Sequence, residues 1–220
     1  AGRMRVADHL EILLKVCDAV AFAHSRKIIH RDLKPGNVLI GEFGEVQVLD
    51  WGLAVTFDRT KADTAHLPDV RESAGLAGTL EYMPPEMAEA QAEKIGPASD
   101  VYLLGAMLFE VLFKVPPRTG ASALEVLAKA ADNVIEIPKH TPPETMSHFR
   151  VLKNTLDRAL ENDPIKRFAD ASEFGDAIRE DMQHFEAITM AQDASDRLLQ
   201  MSNFHLPGLA EAMTDVNEEL

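Results

Sequence analysis

Side-chain positions facing one way recur every three or four residues between Val6 and Ser25, at Leu10, Leu13, Leu14, Cys17, Val20, Ala21 and His24, a spacing that predicts an amphipathic helix. Two short β-prone runs follow, Val38-Leu39-Ile40 and Val46-Gln47-Val48-Leu49, separated by Gly41 to Glu45 as a hairpin connection. The polar stretch from Phe57 to Gly78 has no sustained period and reads as a mobile loop. Asp100 to Leu112 is nearly continuously apolar yet too short to span a bilayer, which suits a helix buried on all sides. Helical patterns resume at Ala121 to Ala131 and at Phe149 to Leu160, with a break at Pro138 to Pro143. Beyond Asp170 a stripe of Phe174, Ile178, Met182, Phe185 and Ile188 continues through Leu198 and Met201 to a break at Asn203 to Gly208. The fold expected is mainly α with a small β-hairpin. The face from Phe174 to Ile188 needs cover, either from its own domain or from a second copy in a homodimer.

Composition narrows the classes without choosing among them. With 220 residues, 46% hydrophobic and 26% charged, the chain is an ordinary globular sequence rather than a disordered one. A formal net charge of −14 argues against nucleic acid as a partner, because phosphate-binding surfaces are rich in lysine and arginine. Cys17 is the single cysteine, so no intrachain disulfide forms, and its apolar setting predicts a buried, inert thiol. No apolar run is long enough for a membrane segment, and a cytoplasmic location is expected. The histidines at 9, 66, 140, 148, 184 and 205 lack metal-ligand spacing.

The chemistry concentrates in His30-Arg31-Asp32-Leu33-Lys34-Pro35-Gly36-Asn37, which places a carboxylate, an ammonium and an amide on one loop, with a second carboxylate, Asp50, beyond the hairpin. In-line phosphoryl transfer needs these types: a group to take the proton of the attacking hydroxyl, a cation for the migrating charge, and hard oxygen ligands for Mg2+.

That octapeptide resembles the catalytic loop of protein kinases, H-R-D-L-x-x-x-N. The resemblance implies that Asp32 is the catalytic base, that Lys34 reaches the γ-phosphate of ATP as in the serine/threonine type, and that Asn37 holds one Mg2+. Asp50-Trp51-Gly52 resembles the Asp-Phe-Gly triplet, making Asp50 the main metal ligand, with Trp51 a departure whose indole N–H needs a partner. Leu39 and Leu49 would lie beneath the adenine. Gly78 to Glu86 resembles the end of an activation segment spanning 50–86, with Pro84 in place of alanine. There Thr79 would link substrate and base, and Glu86 would pair with a buried arginine, for which Arg167 has the expected context. Asp100 would bond the backbone of the catalytic loop as a structural residue. Arg31 implies control by phosphorylation of the loop, with Thr56, Thr60, Thr64 and Ser73 as candidate acceptors.

The resemblance covers about Val6 to Phe185 and implies the C-terminal lobe of a two-lobed α+β kinase over 1–185, followed by a helical extension over 186–220. No G-x-G-x-x-G-x-V loop and no Val-Ala-Ile-Lys lysine occurs, so the N-terminal lobe is expected to precede this segment in a longer chain. A serine/threonine kinase lobe acting on protein substrates, inactive alone, is the favoured reading. A kinase-like binding scaffold and an aminoglycoside-phosphotransferase-like small-molecule kinase are the alternatives.

Overall fold

A computed structural model of the chain describes residues 4–58, 66–73, 75–139 and 143–215, with 143–144 and 201–215 described by backbone alone. Helix α1 spans Val6–Ser25. Asp8 in its first turn accepts the Arg5 backbone N–H at 2.9 Å, satisfying a donor at the helix entrance. Leu10, Leu13, Val16, Cys17 and Val20 form its buried face. Burial pushes the Cys17 thiol far above its ordinary range, which keeps it protonated and unreactive.

Two antiparallel ladders follow. Strand β1 (Ile28–Ile29) pairs with β4 (Val55–Thr56), and β2 (Val38–Ile40) pairs with β3 (Val46–Val48) in the register Val38 to Val48. The hairpin is where the alternating sequence places it. The β1–β4 ladder is additional, because two-residue strands carry no period to read.

Helix α3 (Pro97–Phe113) begins with proline at its first position, where no intrahelical N–H is needed, and is buried on nearly every side. Gly105 allows its contact with α5 (Pro143–Ala159): a Cβ there would lie 2.8 Å from the Ala159 Cβ, closer than carbon atoms tolerate. The proline expected to break the chain before α5 instead opens it, so that helix starts ahead of Phe149. Helices α1 and α5 pack against α3, and short helix α2 (Pro85–Ala88) packs against helix α4 (Ala123–Ala131).

The stretch read as a mobile loop is held down over its described central part. Val70 N–H donates to Thr56 O at 3.0 Å, and the Val70 side chain joins a buried cluster with Ile29, Val55, Met83, Met87 and Ile95. Helix α6 (Ala171–Asp215) likewise runs through the segment around Pro207 where a break was expected. One proline removes one backbone bond, and the Leu209-Ala210-Glu211-Ala212-Met213 run that follows is strongly helix-forming.

The chain divides into two compact units, residues 1–180 and 181–220. Ala171, Phe174 and Ile178 are buried in the first. In the second, Met190 and Leu198 are exposed, and the Thr189 hydroxyl donates to the Phe185 carbonyl at 2.9 Å. No helix among the described residues is long and apolar enough to cross a membrane.

Candidate active site

The loop 30–37 is hung from the start of α3. Both oxygens of the fully buried Asp100 carboxylate are used: Oδ2 accepts the His30 N–H at 2.8 Å and Oδ1 the Arg31 N–H at 2.9 Å. His24 reaches the same Oδ2 at 3.0 Å through Nε2. Because His24 Nδ1 accepts the Ala171 N–H at 3.3 Å, Nε2 is the nitrogen that carries the donated proton. A buried carboxylate without such donors would be costly, so these bonds fix the loop where Arg31 adopts φ 70°. The sequence had placed His24 on the apolar face of α1 without suggesting this polar role.

Asp32, Lys34, Asn37 and Thr79 meet in one cluster. Lys34 Nζ donates to Asp32 Oδ2 at 2.9 Å and to Thr79 Oγ1 at 2.7 Å, while the Thr79 hydroxyl donates to Asp32 Oδ1 at 2.7 Å. Asn37 Nδ2 donates to the Asp32 carbonyl at 2.8 Å and to Oδ2 at 3.2 Å. Burial by itself raises the Asp32 carboxyl, but the bonds from Thr79, Lys34 and Asn37, with the Lys34 charge, outweigh it and hold the group below its usual value. Asp32 is therefore an ionised carboxylate at neutral pH. Thr79 arrives from a distant segment because Gly78, at φ 112°, lets the chain pass the Arg31 carbonyl; a Cβ there would lie only 2.9 Å from that oxygen.

His30 ties this cluster to the segment after the hairpin. Its Nδ1 accepts the Asp32 N–H at 3.3 Å, its Nε2 donates to the Leu49 carbonyl at 3.0 Å, and its ring lies 4.5 Å from that of Trp51. The Trp51 indole N–H finds the Val48 carbonyl at 3.0 Å, closing a tight turn around Asp50. Asp50 takes φ 59° and ψ 65°, a left-handed conformation uncommon outside glycine, asparagine and aspartate. Its carboxylate has no protein partner among the described residues, and the Asn37 Oδ1 accepts no hydrogen bond there. Two uncommitted hard oxygens suit Mg2+, which takes one or two protein ligands and completes its shell with phosphate and water. Gly52 leaves room beside Asp50, since a Cβ at Gly52 would come within 3.2 Å of Asp50 Oδ1. Leu39 and Leu49 are 51% and 40% exposed, apolar surface on the hairpin side of the cluster.

Two arginines anchor the surrounding segments. Arg31 Nε donates to the Leu53 carbonyl at 2.7 Å, and its guanidinium reaches the Ser73 carbonyl at 3.0 Å and hydroxyl at 3.2 Å. Of the candidate phosphate acceptors, Ser73 lies beside Arg31. Thr56 is fully buried, with its hydroxyl donated to the Lys27 carbonyl at 3.1 Å, so it is inaccessible as an acceptor. Thr60 and Thr64 lie outside the described residues. Arg167 grips Glu86 in a two-pronged pair at 2.7 and 2.8 Å, with both side chains buried, and Ser99 adds a third bond to the carboxylate at 2.7 Å. Sequence reading missed Ser99 and the linked set of Arg118 and Tyr102, both fully buried, with the half-buried Asn133. Arg118 sits in Val115-Pro116-Pro117-Arg118, which reads as an exposed turn.

Residues 2–197 match the protein kinase domain family. The chain is 34% identical over 173 residues to a probable serine/threonine-protein kinase PknB of Bifidobacterium longum, covering 79% of this chain and 24% of that protein. It is 37% identical over 174 residues to the serine/threonine-protein kinase PknB of Mycolicibacterium smegmatis, covering 77% and 26%. With the Mycobacterium leprae PknB it shares 34% identity over 214 residues, 94% of this chain and 32% of that protein. The chain thus spans between about a quarter and a third of the length of these curated relatives.

Proposed function

Because the chain belongs to the protein kinase family, we propose that it is the catalytic lobe of a serine/threonine protein kinase, working within a longer chain that supplies the nucleotide-gripping lobe. The observation that carries the reading is the closed triangle of Asp32, Lys34 and Thr79. In it, Asp32 takes the proton of an incoming serine or threonine hydroxyl. Lys34, 28% exposed at its side chain, holds its positive charge beside that acceptor, ready to face developing negative charge. Thr79 fixes the rotamer of Asp32 and borders the path of the acceptor. Asn37 and Asp50 would hold Mg2+, and Leu39 and Leu49 would meet the adenine. When bound, ATP with Mg2+ supplies the phosphoryl group and neutralises its charge. Residues 1–185 form the lobe and 186–220 its helical extension; a cytoplasmic setting is in keeping with a single, buried, unpaired cysteine.

A radiolabelled-phosphate transfer assay with Mg2+ tests this on three samples: residues 1–220, the longer chain, and the longer chain with Asp32→Ala. Residues 1–220 should be silent, because one side of the triphosphate stays in water and reacting groups rarely align. The longer chain should label serine or threonine, and Asp32→Ala should lower its rate by roughly a hundredfold or more. Transfer that survives Asp32→Ala refutes the assignment. A folded but inactive longer chain favours the binding scaffold, and transfer confined to small-molecule hydroxyls favours the small-molecule class.

A further inference from the structure

Arg118 is fully buried, yet no carboxylate pairs with it among the described residues. Its donors go to neutral acceptors: Nε to the Val134 carbonyl at 3.1 Å, Nη1 to the Met83 carbonyl at 2.6 Å, and Nη2 to the Tyr102 hydroxyl. The guanidinium also lies 5.7 Å from the Tyr102 ring centroid. Tyr102 in turn donates to Asn133 Oδ1 at 2.7 Å, and Asn133 Nδ2 donates to the Leu160 carbonyl at 3.0 Å. Desolvating a guanidinium without a counter-charge is expensive, and an apolar side chain of similar length would suit a core better.

What this cation holds is the middle of the segment from Gly78 to Glu86. One end of that segment is fixed to the catalytic carboxylate by Thr79, and the other to Arg167 by Glu86. Between them, the Tyr82 hydroxyl donates to Glu110, and the Met83 carbonyl is taken by Arg118. Thr79, Leu80, Glu81 and Tyr82 are half-buried, so they form a partly open wall beside Asp32, where a polypeptide bringing its hydroxyl to that base must pass. The Met83 side chain below is fully buried and cannot itself touch an acceptor.

We infer that Arg118 is a positioning residue for the protein acceptor, setting the wall at Thr79 to Tyr82 through the Met83 carbonyl. The inference rests on the kinase reading. It assigns Arg118 no contact with substrate and no part in nucleotide binding.

The test uses Arg118→Met in the full-length kinase, with acceptor-peptide and ATP kinetics alongside amide hydrogen exchange. The expected result is a roughly tenfold rise in the acceptor KM, the scale of one lost charged hydrogen bond, with kcat and the KM for ATP within about twofold of wild type. Exchange should quicken at the amides of 80–83 and of 86–87, which flank two prolines without an N–H, and not in α1. Arg118→Lys, which can still reach one carbonyl, should recover part of the KM. If Arg118→Met fails to fold, Tyr102→Phe decides, since it removes the Nη2 acceptor together with the bond to Asn133 and leaves the Arg118 bond to the Met83 carbonyl in place; a rise of about threefold in the acceptor KM supports the role and an unchanged KM overturns it. A fall in kcat with unchanged acceptor KM, or exchange that quickens across the whole lobe, reduces Arg118 to general stability and sinks the inference. A wild type with no transfer to protein hydroxyls would instead overturn the kinase reading, while the exchange arm would still report whether Arg118 orders the wall.

Discussion

Gly78 is the residue whose replacement is most tightly constrained. A side chain there meets both an unfavourable φ of 112° and a carbonyl oxygen 2.9 Å away that belongs to the backbone of the catalytic loop. Gly78→Ala should lower stability by about 2 kcal/mol or more in denaturant titration and should displace Thr79 from Asp32. An unchanged midpoint would mean that the backbone relaxes freely, contrary to its packing against Arg31. The octapeptide around Asp32 stood out in the sequence because its pattern is so specific, and the proposed role of Asp32 rests on it. Its link to Thr79, 47 residues away, was expected from the resemblance alone; the bonds that hold the Asp32 carboxyl down depend on the fold, which brings that hydroxyl within 2.7 Å.

At the scale of elements, the four-residue helix α2 could not persist alone, because so short a helix makes too few backbone bonds to offset its nucleation cost. Glu86, on that helix, is held by Arg167, which also donates to the Ala98, Glu161 and Asn162 carbonyls. Thus α2, the start of α3 and the turn after α5 share one guanidinium. Removing the acid leaves that charge buried without its partner, so Glu86→Ala should cost about 3–5 kcal/mol by chemical denaturation. Glu86→Ala combined with Arg167→Met should cost clearly less than the sum of the two single changes, and simple additivity would argue against a coupled pair. Helices α1 and α3 were readable because their periodicity, or its near-absence in an all-apolar run, is a local property. The attachment of Val70 was not, because it depends on a bridge to Thr56 across a stretch of polar sequence. The start of α5 at Pro143 was misjudged because proline stops a helix in its interior and favours one at its first turn.

At the scale of the molecule, a mainly helical chain hangs the Asp32 cluster from the buried start of α3, while Leu39, Ile40, Leu49 and Trp51 remain exposed on the hairpin and the turn after it. The composition argued against nucleic acid as a partner but could not indicate this placement, which arises only when β2 and β3 pair next to the loop 30–37. Trp51 is also the single tryptophan in the 220 residues. Its indole is bonded to Val48, tilted against the His30 ring and 37% exposed, with the proposed metal ligand Asp50 as its immediate neighbour. The intrinsic fluorescence of this chain is therefore a one-site optical reporter. Titrating residues 1–220 with Mg2+ should shift or quench emission only insofar as the turn around Asp50 responds, and Asp50→Asn should abolish that response while leaving the starting spectrum close to native. An equal response in Asp50→Asn would place the ion elsewhere. Because no second indole contributes, the signal reads directly, at one position, whether the turn around Asp50 responds to the ion.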